Sequence, residues 1–274
     1  MVSSVLTPVQ ERGRAALERQ GLPTRRQEAW RLTDLKRLAA VAALPLSSTS
    51  VGRDLPAPSE GVLRLVVDGT QPSLEGQVWP DGITPLNSAE LEEFLGQPLS
   101  RCDCAEAWPV QFNHASGHQL LALRVSGKVP PLELVLAGGE GLIATRVILL
   151  LDDKADLDLL EVVLAEGVSA HSHVIEIHLG LEAELRHGFL ATADGQASLL
   201  AHLAVEQEPR SRYAFTSVVT GWSLGRVEPR VVQLEGHAET ALKGLAMACA
   251  EQQLATHTAV RFDGPEGELD QLQK

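Results

Sequence analysis

Four of the nine histidines of this chain fall within one stretch, SAHSHVIEIHLGLEAELRHGFLA, which runs from Ser169 to Ala191 and holds His171, His173, His178 and His187. Imidazoles spaced His-x-His on one face of a strand can chelate a metal ion, so His171 and His173 form a candidate ligand pair. A site needs a third or fourth ligand, and the spacing places none. Cys102-x-Cys104 is a second candidate pair: two thiolates at that spacing suit a soft metal, but no second pair of cysteines accompanies them. The third cysteine, Cys249, lies in LAMACAE and reads as a buried, inert thiol in an apolar strand. The acidic pair Asp152-Asp153 reads as a solvated corner. No H-E-x-x-H or G-x-x-x-x-G-K-[ST] motif is found.

What the histidines can do depends on the elements that carry them. Alternate residues of a strand share a face. Ile175, Ile177 and Leu179 are the apolar set and point inward. His171 and His173 are in phase with them, but at the strand entrance, ahead of regular pairing. Glu176 and His178 point outward. His187 is in phase with Leu185 and Phe189, inward or at an edge. On this reading the four imidazoles do not converge.

The strands around them recur. After about residue 117 the helical signal fades, and short apolar runs follow: LELVLA from Leu132, ATRVILLL from Ala144, LLEVVLA from Leu159, HVIEIHL from His173, ELRHGFLA from Glu184, SLLAHLAV from Ser198, YAFTSVV from Tyr213, RVVQLEG from Arg230 and LKGLAMA from Leu242. They follow one another closely, with no long helix between, which excludes a doubly wound α/β fold. LDDKAD at Leu151, LGLEAE at Leu179 and LEGHAE at Leu234 share the pattern Leu-x-x-x-Ala-acid. The second copy follows the first by roughly 28 residues and the third follows the second by roughly 55, one and two turns of a single repeat. A degenerate copy, QEPRSR, stands between them at Gln207. Two strands per repeat predict a parallel β-solenoid with the small Ala at each corner and the acid outside. GGEG at Gly138–Gly141 precedes a strand and reads as a solenoid turn. An antiparallel sandwich is the alternative fold.

Ahead of the strands the chain reads as helical. Leu6, Val9, Ala16 and Leu17 space one helix, which Gly21-Leu22-Pro23 ends; Thr24 opens a second with Gln27 completing a capping box. LSSTSVGRDLPAPSEG (Leu46–Gly61) is a linker, Val62–Val67 a strand, and Asn87-Ser88 precedes a short helix that Gly96 and Pro98 end. The expected organisation is a helical region and linker over 1–60, a mixed α/β lead-in over 61–116, and the solenoid core over 117–274. A net charge of −13 argues against nucleic acid as a partner, and three cysteines are too few for a secreted disulfide framework. The N-terminus shows no signal peptide and no apolar run is long enough to span a bilayer, so a cytoplasmic location without membrane is expected.

Three stretches together resemble the SufB/SufD family of iron–sulfur cluster assembly, and its SufD members in particular. LPTRRQEAWRLTDLKRL (Leu22–Leu38) is similar to the family's N-terminal signature in Leu22, Pro23, Thr24, Arg25, Glu28, Trp30, Thr33 and Asp34, with Leu32 where an aromatic is expected. FNHASGHQLLALRVSGKVPPLELV (Phe112–Val135) resembles the entry into the core, with Asn113 and Ala115 ahead of a strand. GWSLGRVEPRVVQLEGHAETALKGLAMA (Gly221–Ala248) resembles an arginine-containing coil and its corner. The resemblance implies a right-handed parallel β-helix and a non-catalytic scaffold role with a SufB-like subunit and a SufC-like ABC-type ATPase, or as a homodimer. It implies a cytoplasmic location, or the plastid stroma in a plant or alga. Family members continue with further coils, a Cys/His-bearing segment and C-terminal helices, so the chain is expected to be a fragment. No metal or sulfur ligand carries over onto it, and an iron–sulfur cluster is expected only transiently in the full complex. The other classes are a polysaccharide-acting enzyme on a β-helix, working through paired carboxylates, and a β protein that binds metal through His171 and His173.

Overall fold

In the computed structural model, which describes residues 2–47, 55, 57–67, 77–117 and 119–274, a helical cap lies against one face of a parallel β-solenoid. Helix α1 (Val2–Gln20) buries Leu6, Val9 and Ala16, and Gly21 ends it in a left-handed conformation (φ 66°). The Thr24 N–H does find Gln27 Oε1 at 2.7 Å, but this closes only a turn, followed by one 3₁₀ turn over Glu28–Trp30. The second helix, α2 (Leu35–Ala42), does not begin at Thr24, because Asp34 supplies the stronger cap. Its carboxylate accepts from the Lys36 and Arg37 N–H groups at 3.0 and 3.1 Å.

Much of the linker, residues 48–54 and 56, lies outside the described residues. Strands β1 (Leu63–Val67) and β2 (Ile83–Pro85) follow, then helix α3 (Ser88–Phe94) with a complete Asn87/Glu90 capping box. Gly96 ends it at φ 88°, whereas Pro98 begins rather than ends a helix: it sits in the first turn of α4 (Gln97–Arg101), where its missing N–H is not needed. Helix α5 is Trp108–Ser116.

The solenoid is built from β3 (Gln119–Val125), β4 (Leu132–Ala137), β5 (Gly141–Leu151), β6 (Asp156–Ala165), β7 (Ser169–Leu179), β8 (Glu184–Ala193), β9 (Ser198–Gln207), β10 (Arg212–Thr220), β11 (Leu224–Gln233), β12 (Glu239–Met247), β13 (Gln253–Thr256), β14 (Ala259–Phe262) and β15 (Glu268–Gln273). One sheet runs β2-β3-β5-β7-β9-β11-β13, with β14 also on β11; the other runs β1-β4-β6-β8-β10-β12-β15. The two give about six stacked coils. Every ladder between these strands is parallel except β2 with β3, which removes the antiparallel sandwich.

The register confirms the repeat: Ala170 stands beside Ser198 and Asp156 beside Glu184, each pair one full turn apart. Its physical origin is the corner. Lys154, Glu182, Arg210, His237 and Glu266 all adopt φ between 53° and 60°, and the next residue (Ala155, Ala183, Ser211, Ala238, Gly267) is small. The left-handed residue swings the chain between sheets, and only a small side chain fits inside the bend. The degenerate copy QEPRSR thus makes the same corner, with Ser211 buried in place of Ala.

The sheets differ in their outer faces. Strands β6, β8 and β10 alternate buried and open residues, so the outer face of that sheet is largely uncovered among the described residues. Strands β5 and β9 are buried at every position, because the helical cap covers them. Gly221 tests this close stacking. It has φ 78°, and a Cβ there would lie 2.0 Å from the Ala193 carbonyl oxygen. Gly167 has φ 64° with nothing within 4 Å. Gly221→Ala is expected to lower the melting temperature clearly more than Gly167→Ala, which carries only the left-handed strain of about 1 kcal/mol. Equal melting curves would show that the coil contact at Gly221 is not tight.

Candidate functional site

The lumen is mostly apolar, with a neutral cluster of Gln207, Gln233 and Thr240 near one corner and a buried carboxylate further along. Glu161 of β6 points inward between Leu159 and Val163, fully buried. From the facing sheet His173 brings Nε2 to 3.0 Å from Glu161 Oε1, close enough for charge attraction though out of line for a directed hydrogen bond. From the neighbouring coil His187 brings Nε2 to 3.0 Å from Glu161 Oε2. Each imidazole is oriented from behind: Thr145 Oγ1 lies 2.8 Å from His173 Nδ1, and Tyr213 Oη 3.1 Å from His187 Nδ1. A polar chain of Thr145, His173, Glu161, His187 and Tyr213 therefore crosses the core, packed against Phe189 and Phe215. Burial would raise the Glu161 carboxyl; His173, then His187, overcome it and bring its pKa down to about 2.

This corrects the expected scatter of the histidines. Strand β7 is already paired at His171 and His173, which stand beside Ile143 and Thr145, so neither is at an unpaired entrance. His173 and His187 converge on Glu161, while His171 packs edge-on to Trp222 and His178 points outward to Glu206 Oε1 at 2.5 Å. Glu161 went unmarked in the sequence, although its phase with Leu157, Leu159 and Val163 already puts a carboxylate on the inner face. Among the described residues, no set of three or more His, Cys, Asp or Glu is arranged to hold a metal ion. Glu161 stands between the two rings rather than facing a shared point with them.

A second set of buried charges fastens the cap to the solenoid. Arg146 holds Glu176 at 2.5 Å, and the other Glu176 oxygen accepts the Gly96 N–H at 2.7 Å. Arg101 reaches Glu206 at 3.2 Å. Arg226 is the hub: it bonds Glu228 at 2.5 Å and the Ala29 carbonyl at 2.9 Å, meets His257 at 3.1 Å, and lies 4.1 Å over the Trp30 ring. Burial raises the Glu228 carboxyl, but His202, Arg226 and Arg230 leave it below the usual carboxylate range. Gln253 of β13 crosses the same seam, donating to Leu32 O and accepting from the Asp34 N–H of the cap. Asn113 donates to Thr145 O and Ser172 O. The segments singled out in the sequence thus meet: Trp30 of the first faces Arg226 of the third, Arg37 of the first donates to Ser223 O of the third, and Asn113 of the second ties α5 to β5 and β7.

Cys102 and Cys104 are each turned to backbone carbonyls, and Cys249 does not take the inert strand position expected of it. Cys102 Sγ lies 3.4 Å from the Val205 and Arg230 carbonyls, and Cys104 Sγ 3.4 Å from Leu99 O. Burial pushes the Cys102 thiol up to about 12 and Cys104 higher still, so neither offers a thiolate at neutral pH. Cys249 is exposed, because β12 ends at Met247 and the chain turns there. A disulfide-exchange reagent at neutral pH is expected to modify Cys249 fast and Cys102 and Cys104 only on unfolding. Rapid modification of all three would show the cap seam to be open.

Two further features bear on catalysis. Gly221-Trp222-Ser223-Leu224-Gly225 has the spacing G-x-S-x-G, but Ser223 leads into strand β11 rather than a helix and donates its N–H to Ala197 O, so it makes no nucleophile elbow. On the largely uncovered sheet, a groove of about 690 Å³ runs beside Leu160, Gly188 and Arg186. Its carboxylates, Glu133 and Asp158, are not a free acid–base pair, since Arg64 holds Glu133 at 2.5 Å and Arg186 bonds Asp158.

Comparison with known proteins agrees with this architecture. Residues 134–274 match the family model described as SUF system FeS cluster assembly, SufBD core domain. The chain is 30% identical over 132 residues to Protein ABCI7, chloroplastic, of Arabidopsis thaliana, covering 47% of this chain and 28% of that protein. It is 24% identical over 297 residues to an iron-sulfur cluster assembly SufBD family protein of Synechocystis sp., covering 92% of this chain and 62% of that one. The match thus spans less than two thirds of the length of either relative.

Proposed function

The chain belongs to the SufBD core family of the SUF system of iron–sulfur cluster assembly, and we propose that within that system it is a non-catalytic scaffold subunit of the SufD type. The observation that carries this reading is the solenoid itself: a stack of parallel coils to which buried ion pairs fasten a helical cap. Its proposed partners are a SufB-like subunit and a SufC-like ABC-type ATPase, with a homodimer as the other assembly. The proposed location is the cytoplasm, or the plastid stroma in a plant or alga; no described helix is long and apolar enough to cross a membrane. A cluster would be held only by the whole complex.

Tagged full-length protein co-expressed with the SufB-like and SufC-like proteins of its own source, and purified without oxygen, is expected to carry both at fixed stoichiometry. Native mass spectrometry that finds neither partner would overturn the scaffold assignment.

A further inference from the structure

Charge is divided unevenly along the chain. Residues 1–45 hold eight Lys and Arg against four Asp and Glu, while the whole chain holds 23 against 36, leaving 15 against 32 for the remainder. Ion pairing sharpens the division. All thirteen Lys and Arg from Arg64 to Arg261 lie within 4.0 Å of a carboxylate. Of the eight in residues 1–45, only Arg37 is so placed among the described residues. Arg25, Arg26, Arg31 and Lys36 are exposed on one short segment of the cap. Two leucines of the same segment also face solvent, Leu22 at 47% exposure and Leu32 at 85%.

This segment is held rigidly from below. Trp30 is buried under Arg226, and Leu32 O and Asp34 N are clamped by Gln253. A fixed backbone that presents unpaired cations around protruding leucines is a preorganised surface. We propose that the Leu22–Lys36 segment is a docking surface for an acidic, amphipathic polypeptide segment, whose carboxylates meet Arg25, Arg26 and Arg31 and whose apolar residues cover Leu22 and Leu32. Charge complementarity selects this occupant. A nucleic acid or an anionic membrane is an extended polyanion and would meet the strongly acidic remainder of the chain as well as the patch; a short segment meets only the patch. The one aromatic here, Trp30, is buried and offers no surface for stacking bases. The surface goes beyond the proposed function, since it requires neither cluster nor SUF subunits, and its test uses a synthetic probe, so either can fail alone.

The probe is a fluorescein-labelled peptide of Glu and Leu at helical spacing, titrated with the full chain at about 150 mM salt, where the screening length is about 8 Å, and read by anisotropy. The Arg25→Glu/Arg26→Glu/Arg31→Glu variant is expected to weaken binding about tenfold or more, and Leu32→Ser about threefold. Arg212→Gln, a cation already paired with Glu239, is expected to bind as wild type. Thermal melts check that each variant is folded, as these side chains are all exposed. Binding unaffected by the triple reversal, or by Leu32→Ser, would overturn the proposal. So would single-stranded RNA or phosphatidylserine vesicles binding the same residues more tightly than the peptide.

Discussion

Replacing Glu161 with alanine is expected to destabilise the fold by about 3–5 kcal/mol, because it leaves His173 and His187 facing each other in a dry core with no charge between them. For a chain of this size that is a fall in melting temperature of roughly 6–20 °C. The pH dependence has a definite sign. The folded Glu161 pKa, about 2, lies below the ordinary carboxylate value, so the contribution is complete above about pH 4.3 and is lost as the pH falls towards 2. The wild type should therefore lose stability on acidification through that window, and Glu161→Ala should lose less. A third variant separates the ion cluster from the volume it fills. Glu161→Leu combined with His173→Leu, His187→Phe, Thr145→Val and Tyr213→Phe removes every charge together with the two hydroxyls that the imidazoles had satisfied, so it should recover most of the lost stability. If Glu161→Ala melts with the wild type, the lumen is wetter than the geometry indicates.

Arg226→Ala is expected to undock the cap from the solenoid. The guanidinium loses its bond to Ala29 O and its place over Trp30, while Glu228 keeps Arg230 at 2.7 Å. With one partner left to the carboxylate, the cost should sit near the lower end of the range for broken buried pairs, about 3 kcal/mol. Hydrogen exchange should then rise over Glu28–Ala42, with the strands of the distal sheet, β6, β8 and β10, protected as before. Arg226→Lys should behave almost as badly, since an ammonium group cannot bond Glu228 and Ala29 O at once while stacking on Trp30. Uniform loss of protection across the sheets would mean instead that Arg226 supports the coils and not the seam.

These two sites also mark where sequence reading reached and where it stopped. The solenoid was legible because its causes are local. Strand alternation, a corner that needs a left-handed residue followed by a small one, and the spacing between corners all recur within the chain. Even the phase of each histidine followed from alternation: His173 and His187 are inward and His178 outward, as their neighbours require. Local signals also had local limits. The Thr24–Gln27 bond forms, but Asp34 offers a better cap and the helix begins there. Pro98 has the composition of a stop and the position of a start.

The amino-acid order thus determined the period, the two-sheet coil, the helical cap and the family to which the chain belongs. Only the tertiary structure decided which charges meet. Glu161, His173 and His187 lie on three strands and come together because the coil stacks β6 beside β8 and folds β7 across the lumen from them. Trp30 meets Arg226, far away in the chain, because the cap lies across the sheet that carries β11. Alternation tells a side chain which face to take; it carries no information about what waits on that face, and it is the partner across the gap that makes a buried charge stable.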